Sequence, residues 1–147
     1  MTQETLGRWP MQVEVPVAWG DMDVLGHVNN VVYLRWFETA RIAHFTELLG
    51  SPAVPTSGIG PILAHQTIDY RIQLKYPDTV RVETTISKIG TTSFTMGFRI
   101  KSRAKAWAIA AEGEGVLVLY DYASGQKVVI DEAVRHAVYA LEASRGA

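Results

Sequence analysis

Apolar and polar residues alternate along much of the second half of the chain, with the period of β-strands that bury one face. Between Ile62 and Tyr76 the apolar residues occupy nearly all even positions. The same period recurs in residues 79–89, 94–101 and 107–120, and Pro77-Asp78 and Gly90-Thr91 mark the first two turns. We therefore predict four antiparallel strands joined by short turns. The residues predicted to face the core are Ile62, Ala64, Ile68, Tyr70, Ile72, Leu74, Tyr76, Val80, Val82, Thr84, Ile86, Phe94, Met96, Phe98, Ile100, Ile109, Ala111, Leu117 and Leu119.

The first part of the chain predicts one strand followed by one long helix. Residues 11–19 place three valines and Trp19 at alternating positions, and Pro16 among them favours an edge strand. Residues 31–49 are too long for a strand, and Gly50 is a natural helix C-cap. Because this helix is apolar around most of its circumference, we expect the sheet to curl around it.

A short terminal helix completes the predicted order of elements. Asp131 is a candidate N-cap, and apolar residues recur at helical spacing over residues 131–144. The length of 147 residues is close to the usual size of one domain, so we expect one α+β domain over residues 1–147, with its core in about 10–122. Residues 51–61 are rich in Pro and Gly and are a candidate lid or pocket wall.

Charge and composition exclude several classes of function. With 14 Lys and Arg against 15 Asp and Glu, the chain lacks the positive excess that nucleic-acid binding exploits. The absence of Cys removes disulfides, thiolate metal sites and a cysteine nucleophile. Neither a basic, apolar leader nor a run of about 18 apolar residues is present, so we expect a cytoplasmic protein without a membrane partner.

The chemistry-bearing residues concentrate between the first strand and the long helix. Asp21, Asp23, His27, Asn29 and Asn30 fall within ten residues. Either Asn can cap the helix, and the free N–H groups at that end form a ready site for an oxyanion. The alternative is that these polar residues only make turns and a cap, as they do in most loops.

The sequence contains no complete motif for a calcium site, a dinucleotide cofactor or a serine nucleophile. The calcium-loop pattern that Asp21 and Asp23 begin has Leu25 and Val32 where oxygen ligands belong. Residues 58–60 lack the third Gly of a dinucleotide loop, and no Ser occupies a nucleophile elbow. We therefore expect neither a metal nor a cofactor.

The run Asp21 to Asn30, followed by Tyr33 and Trp36-Phe37-Glu38, resembles the signature of hotdog-fold acyl-CoA thioesterases of the 4-hydroxybenzoyl-CoA type. It is also similar to the corresponding segment of plant acyl-ACP thioesterases. The resemblance implies a long central helix wrapped by a curved antiparallel sheet of about five strands. It also implies a homodimer or homotetramer, with each site between two subunits.

Carried over residue by residue, the resemblance makes Asp23 the catalytic carboxylate and places the His of the plant enzymes on His27. Those enzymes have an Asn two positions after the Asp, where this chain has Leu25. Asn29 or Asn30 is the candidate replacement for that Asn.

The mechanistic hypothesis is hydrolysis of an acyl-CoA or acyl-ACP thioester. Asp23 either activates water or attacks the acyl carbon, and His27 or Asn29 orients the reactants. Backbone N–H groups of Asn30 and Val31 would hold the oxyanion. Since a thiolate leaves with a pKa of about 8.5, the site needs little general-acid help.

Substrate contacts and two alternatives complete the hypothesis. Tyr33, Trp36 and residues 54–62 are candidates for the acyl group, although core packing is an equal explanation for the aromatics. Candidates for the carrier's phosphates are the basic residues Arg99, Lys101, Arg103 and Lys105. The alternative explanation for this basic series is a solvated hairpin.

Two rival functions are an acyl-thioester dehydratase and a non-catalytic acyl-CoA binding module, and neither releases a free thiol.

Overall fold

An antiparallel sheet and two helices make up residues 6–50 and 58–145, the part of the chain that the computed structural model describes. The strands are β1 (Met11–Pro16), β2 (Ile59–Tyr70), β3 (Thr79–Ile89), β4 (Ser93–Ser102), β5 (Ala108–Asp121) and the two-residue β6 (Gln126–Lys127). The helices are α1 (Asn30–Leu49) and α2 (Glu132–Arg145), and short 3₁₀ turns occupy Trp19–Asp21 and Arg103–Lys105. The sheet order is β1-β3-β4-β5-β2, with β6 paired to β5. The predicted α+β hotdog architecture, with a curled sheet around one long helix, is confirmed.

The long helix begins and ends where its capping residues predict. The Asn29 side chain accepts a hydrogen bond from the Val31 N–H, and Gly50 adopts the left-handed conformation with φ 82°. Phe37, which is fully buried, stacks on Phe98 of β4 with ring centroids 4.0 Å apart. A Cβ on Gly115 would lie 3.0 Å from the Phe37 ring, so this glycine permits the close approach of Phe37 to β5.

The predicted inward faces of β3 and β4 are confirmed. Val80, Val82, Thr84 and Ile86 are buried on β3, and Phe94, Met96, Phe98 and Ile100 are fully buried on β4. Both strands lie in the middle of the sheet with a neighbour on each side. Because one face of each strand packs on the core, simple alternation identifies the buried residues correctly.

The prediction for the second strand is wrong in extent and in burial. β2 ends at Tyr70, and residues 71–78 are irregular. Ile62 and Tyr70 are 40% and 45% exposed, and Ala64 is also exposed. The reason is that β2 is an edge strand with a register shift after Leu63, so its apolar positions do not all meet the core.

Two further predictions concern the loops. Trp19 does not continue β1; it is 72% exposed in a 3₁₀ turn. Residues 58–61 of the predicted loop belong largely to β2, and residues 51–57 lie outside the described residues.

The terminal helix forms as predicted, behind an Asp131 side chain that accepts a hydrogen bond from the Val134 N–H at 2.9 Å. Val138 is fully buried against the rest of the molecule.

Candidate active site

The segment between β1 and α1 is a tight turn whose two aspartates have different contacts. The Asp21 carboxylate accepts from the Ala18 N–H at 2.9 Å and lies 3.4 Å from the Arg35 guanidinium. The Asp23 Oδ1 accepts from the Leu25 N–H at 2.9 Å, and its backbone N–H donates to the His27 carbonyl at 3.0 Å. Within the described part of the chain, the second carboxylate oxygen of Asp23 has no partner. Asp21 thus anchors the turn, and Asp23 presents a free oxygen.

The first N–H groups of α1 are not equally available. The Val31 N–H donates to the Asn29 side chain at 3.1 Å, and the Val32 N–H donates to the Asn29 carbonyl at 2.9 Å. The Asn30 N–H has no hydrogen-bond acceptor among the described residues. Of the two amides predicted for an oxyanion, the Val31 amide is already engaged by the helix cap, and the Asn30 amide is free.

A cleft of about 360 Å³ brings the Asp23 turn, the start of α1 and the chain after β2 together. Its lining residues are Asp23, Leu25, His27, Val28, Asn30, Tyr33, Tyr70, Arg71, Ile72 and Gln73. The Tyr70 hydroxyl donates to the Asn30 carbonyl at 3.1 Å, and the Val28 N–H donates to the Leu74 carbonyl at 2.8 Å. The sequence pattern did not indicate that residues 70–73 line this cleft, because it predicted a continuous strand through them.

The two predicted aromatic contacts lie at different depths. Tyr33 lines the cleft, is 3% exposed and packs edge-on against Tyr70 with ring centroids 5.1 Å apart. Burial raises the pKa of the Tyr33 phenol. Trp36 is also 3% exposed but packs in the hydrophobic core, 5.3 Å from the Tyr33 ring.

Three of the four cations predicted for the carrier's phosphates lie away from the Asp23 cleft: Arg99, Lys101 and Arg103. Arg99 and Lys101 alternate with the buried residues of β4, so they occupy the outer face of the sheet. Both pair with Glu83, Lys101 at 2.9 Å. The Arg103 guanidinium lies 4.0 Å from the Glu14 carboxylate and 5.6 Å from the centroid of the Trp107 ring. The structure does not bring Arg99 and Lys101 to the Asp23 cleft.

A second cleft of about 340 Å³ adjoins the first, with His27 and Gln73 in both linings. It also contains Lys75, Asp78 and Lys105, from residues 71–78 and the turn after β4. Lys75 could not be identified from the sequence, because it falls on the polar side of the predicted strand. Lys105 follows Arg99 and Lys101 in the sequence, and these two lie on the outer face of the sheet.

A separate apolar cavity of about 320 Å³ lies between α1 and β2. Glu38 and Arg41 line it with Phe45, Leu117 and Tyr122. Its lining contains none of the polar residues of the Asp23 turn.

Residues 17–138 match the thioesterase-like superfamily. The chain belongs to this superfamily. The match spans the Asp23 turn, α1 and the strands β2 to β6, and it agrees with the family resemblance seen in the motif from Asp21 to Asn30.

Solved structures of this superfamily share the fold over nearly the whole chain. A Thermus thermophilus thioesterase, solved with coenzyme A and zinc, is 30% identical, with a TM-score of 0.78 over 93% of this chain and 97% of that one. A thioesterase-superfamily protein from Jannaschia sp. CCS1 is 25% identical, with a TM-score of 0.83 over 99% and 91%. A gentisyl-coenzyme A thioesterase is 25% identical, with a TM-score of 0.75 over 86% and 98%. The superfamily and these neighbours support a thioester hydrolase.

Curated relatives match over shorter stretches. Protein THEM6 of Xenopus laevis is 39% identical over 64 residues, which are 44% of this chain and 31% of that protein. The uncharacterized protein YsmA of Bacillus subtilis is 28% identical over 85 residues, 58% of this chain and 56% of its own. The matched stretches therefore span about a third to about half of these relatives.

Two structural tests bear on metals and membranes. In residues 6–50 and 58–145, no cluster of three or more His, Asp or Glu side chains is placed to hold a metal ion. No helix of the described residues is long and apolar enough to cross a membrane.

Proposed function

We propose that this thioesterase-like protein hydrolyses acyl-CoA thioesters in the Asp23 cleft. The strongest support is that Asp23, with a free carboxylate oxygen, and the start of α1 line the same cleft. A carboxylate can activate a nucleophile, and a helix N-terminus stabilises the negative charge that develops on a carbonyl oxygen.

In the reaction, a water oxygen bonds to the acyl carbon while the Asp23 carboxylate accepts the water proton. The carbonyl π electrons move to oxygen, and the Asn30 N–H donates to the resulting oxyanion. Collapse breaks the C–S bond and releases the thiolate, which needs no strong acid because thiol pKa values are about 8.5. Direct attack of Asp23 on the acyl carbon, followed by hydrolysis of the anhydride, gives the same products.

His27 is the proposed assistant because it lines both the Asp23 cleft and the adjoining one. From that position its ring can hydrogen-bond the thioester or the attacking water. Asn29 supports the site indirectly, since its side chain caps α1 and thereby places Asn30.

Coenzyme A as the carrier is supported by the neighbours. The Thermus thermophilus thioesterase was solved with coenzyme A, and another neighbour is a gentisyl-coenzyme A thioesterase. We extend this carrier chemistry to the present chain as part of the proposal.

A homodimer is the proposed working state, because the described chain leaves apolar surface and a strand edge uncovered around the site. β2 is a 12-residue edge strand that pairs only with β5. Val24 and Leu25 in the Asp23 turn are 100% and 78% exposed, and Val31 is 62% exposed. A second copy that covers this surface would also exclude water from the cleft.

The test is thiol release from a panel of acyl-CoAs by wild type, Asp23→Asn and Asp21→Asn. The Asn at position 23 keeps an oxygen for the Leu25 N–H, so the turn should persist while kcat falls by about two orders of magnitude or more. Asp21→Asn is the matched control, since that carboxylate only anchors the turn, and it should retain most activity. Near-normal turnover by Asp23→Asn, or binding without thiol release by wild type, would sink the proposal.

A further inference from the structure

The cleft beyond His27 has the composition of an anion site. Lys75 and Lys105 line it, and neither ammonium group has an ion-pair partner in the described residues. The cations of the outer face differ, because Arg99 and Lys101 share the Glu83 carboxylate. Unpaired cations are free to meet an incoming anion without first giving up a partner.

The turn that presents Lys105 is held in place by an extensive set of hydrogen bonds. The Asp78 carboxylate accepts from the Ser102 hydroxyl at 2.5 Å and from the Ala104 N–H at 2.9 Å. The Ser102 carbonyl in turn accepts from the Trp107 N–H at 2.6 Å. Ala106 and Trp107 both have positive φ, 56° and 62°, which non-Gly residues adopt only when the surroundings enforce it. These contacts join the turn after β4 to the segment that contains Lys75.

Asp78 leaves this cleft with a net positive charge, because one carboxylate stands against the two ammonium groups of Lys75 and Lys105. Its two oxygens already accept three hydrogen bonds, from the Thr79 N–H at 2.7 Å, the Ala104 N–H and the Ser102 hydroxyl. It forms no ion pair with Lys75 or Lys105 in the described chain. The carboxylate therefore serves the turn, and the two ammonium groups remain for a ligand.

The two clefts adjoin at His27 and Gln73, which line both of them. The backbone of Val28 is hydrogen-bonded to Leu74, so Lys75 follows directly beyond the His27 end of the Asp23 cleft. In coenzyme A a flexible pantetheine arm separates the thiol from the phosphates of the nucleotide. With the thioester at Asp23, the arm can pass His27 and Gln73, which line both clefts.

We propose that Lys75 and Lys105 bind the phosphate groups of the coenzyme A nucleotide and thereby set the preference for CoA over smaller thiol carriers. This assignment rests on the proposed hydrolysis at Asp23. Of the four cations that the sequence pattern offered for the phosphates, it keeps Lys105 and excludes Arg99 and Lys101. It adds Lys75, which the fold brings to the same cleft.

The experiment compares two thioesters of one acyl group, one on coenzyme A and one on pantetheine, which has no phosphate. Lys75→Gln and Lys105→Gln should each raise KM for acyl-CoA by about tenfold, because a charge-assisted contact contributes about 1.5 kcal/mol or more. For acyl-pantetheine, kcat/KM should stay unchanged. Added salt should raise KM for acyl-CoA in wild type and much less in the double variant.

Lys88→Gln is the charge control, because this exposed lysine on β3 lines neither cleft. It should behave as wild type with both thioesters. Unchanged KM for acyl-CoA in the double variant, or an equal loss with both thioesters, would overturn the phosphate assignment while leaving hydrolysis at Asp23 intact. If wild type hydrolyses neither thioester, the proposed function fails and the assignment fails with it.

Discussion

Among single residues, the carboxylate side chains differ in their burial and in their hydrogen-bond partners. Asp21 is tied to Ala18 and Arg35, and Asp23 keeps a free oxygen only two positions further on. Glu142 is a third case, a carboxylate that is 1% exposed near the end of α2. It accepts hydrogen bonds from the Thr85 hydroxyl and from the Ile86 N–H of β3.

Glu142 should make stability depend on pH in a defined direction. Burial raises the pKa of its carboxyl above the ordinary 4.5, so the folded state binds this proton more tightly than the unfolded state does. The free energy of unfolding of wild type, relative to Glu142→Gln, should therefore fall as pH rises from about 4.5. Denaturant titrations of both proteins across pH 4 to 8 measure this difference.

A matched pair of variants separates the hydrogen bonds of Glu142 from its charge. Glu142→Ala leaves the Thr85 hydroxyl and the Ile86 N–H without their acceptor and should cost about 1–3 kcal/mol. Glu142→Gln keeps an acceptor and should lose far less. Equal losses in the two variants at pH 7 would contradict this account.

At the scale of elements, α1 is joined to β3 by a buried polar contact within a hydrophobic layer. The His44 Nδ1 lies 2.8 Å from the Thr84 Oγ1, and both residues are almost fully buried. The His44 Nε2 has no hydrogen-bond partner among the described residues. Since neither nitrogen faces a carboxylate, the arrangement favours the neutral ring.

His44 should give a pH dependence opposite in sign to that of Glu142. Burial lowers the pKa of the His44 ring from 6.5 to about 4, so the unfolded state takes up a proton first as the solution is acidified. Stability should fall between pH 6.5 and about 4, by about 3 kcal/mol in total, and His44→Leu should lack this loss. An NMR titration in which the His44 ring protonates near pH 6.5 would disprove it.

At the scale of the whole molecule, the two edges of the sheet are unlike. β1 is a six-residue edge strand that ends at Pro16, and β2 is a 12-residue edge strand beside the Asp23 cleft. A long strand edge with exposed Ile59, Ile62 and Tyr70 is a surface that a second copy of the chain can cover. This is the surface on which the proposed dimer depends.

Ile62→Lys tests that surface, because a charge on an edge strand opposes pairing with another strand. We expect wild type to show twice the monomer mass by light scattering, and the variant to become monomeric with lower thioesterase activity. Val129→Lys is the control, since Val129 is 64% exposed between β6 and α2, away from β2. A fully active wild-type monomer would refute the dimer.

Much of the fold could be predicted from the sequence because its signals are local. The Asn29 cap, the Gly50 left-handed end and the Asp131 cap all act within one helical turn. The strands β3 and β4 alternate with period two because they lie mid-sheet on the core. The motif from Asp21 to Asn30 was recognisable for the same reason, and the superfamily match agrees with it.

The helices, the central strands and the segment that contains Asp23 could be predicted from local sequence, since periodicity and capping depend on neighbours a few positions away. The packed fold was needed to show that β2 stops at Tyr70, that Lys75 and Lys105 share a cleft with His27, and that Arg99 and Lys101 face Glu83. Glu142 likewise became a buried residue only through packing of α2 on β3. Each of these outcomes joins residues distant in sequence, and local patterns hold no information about such pairings.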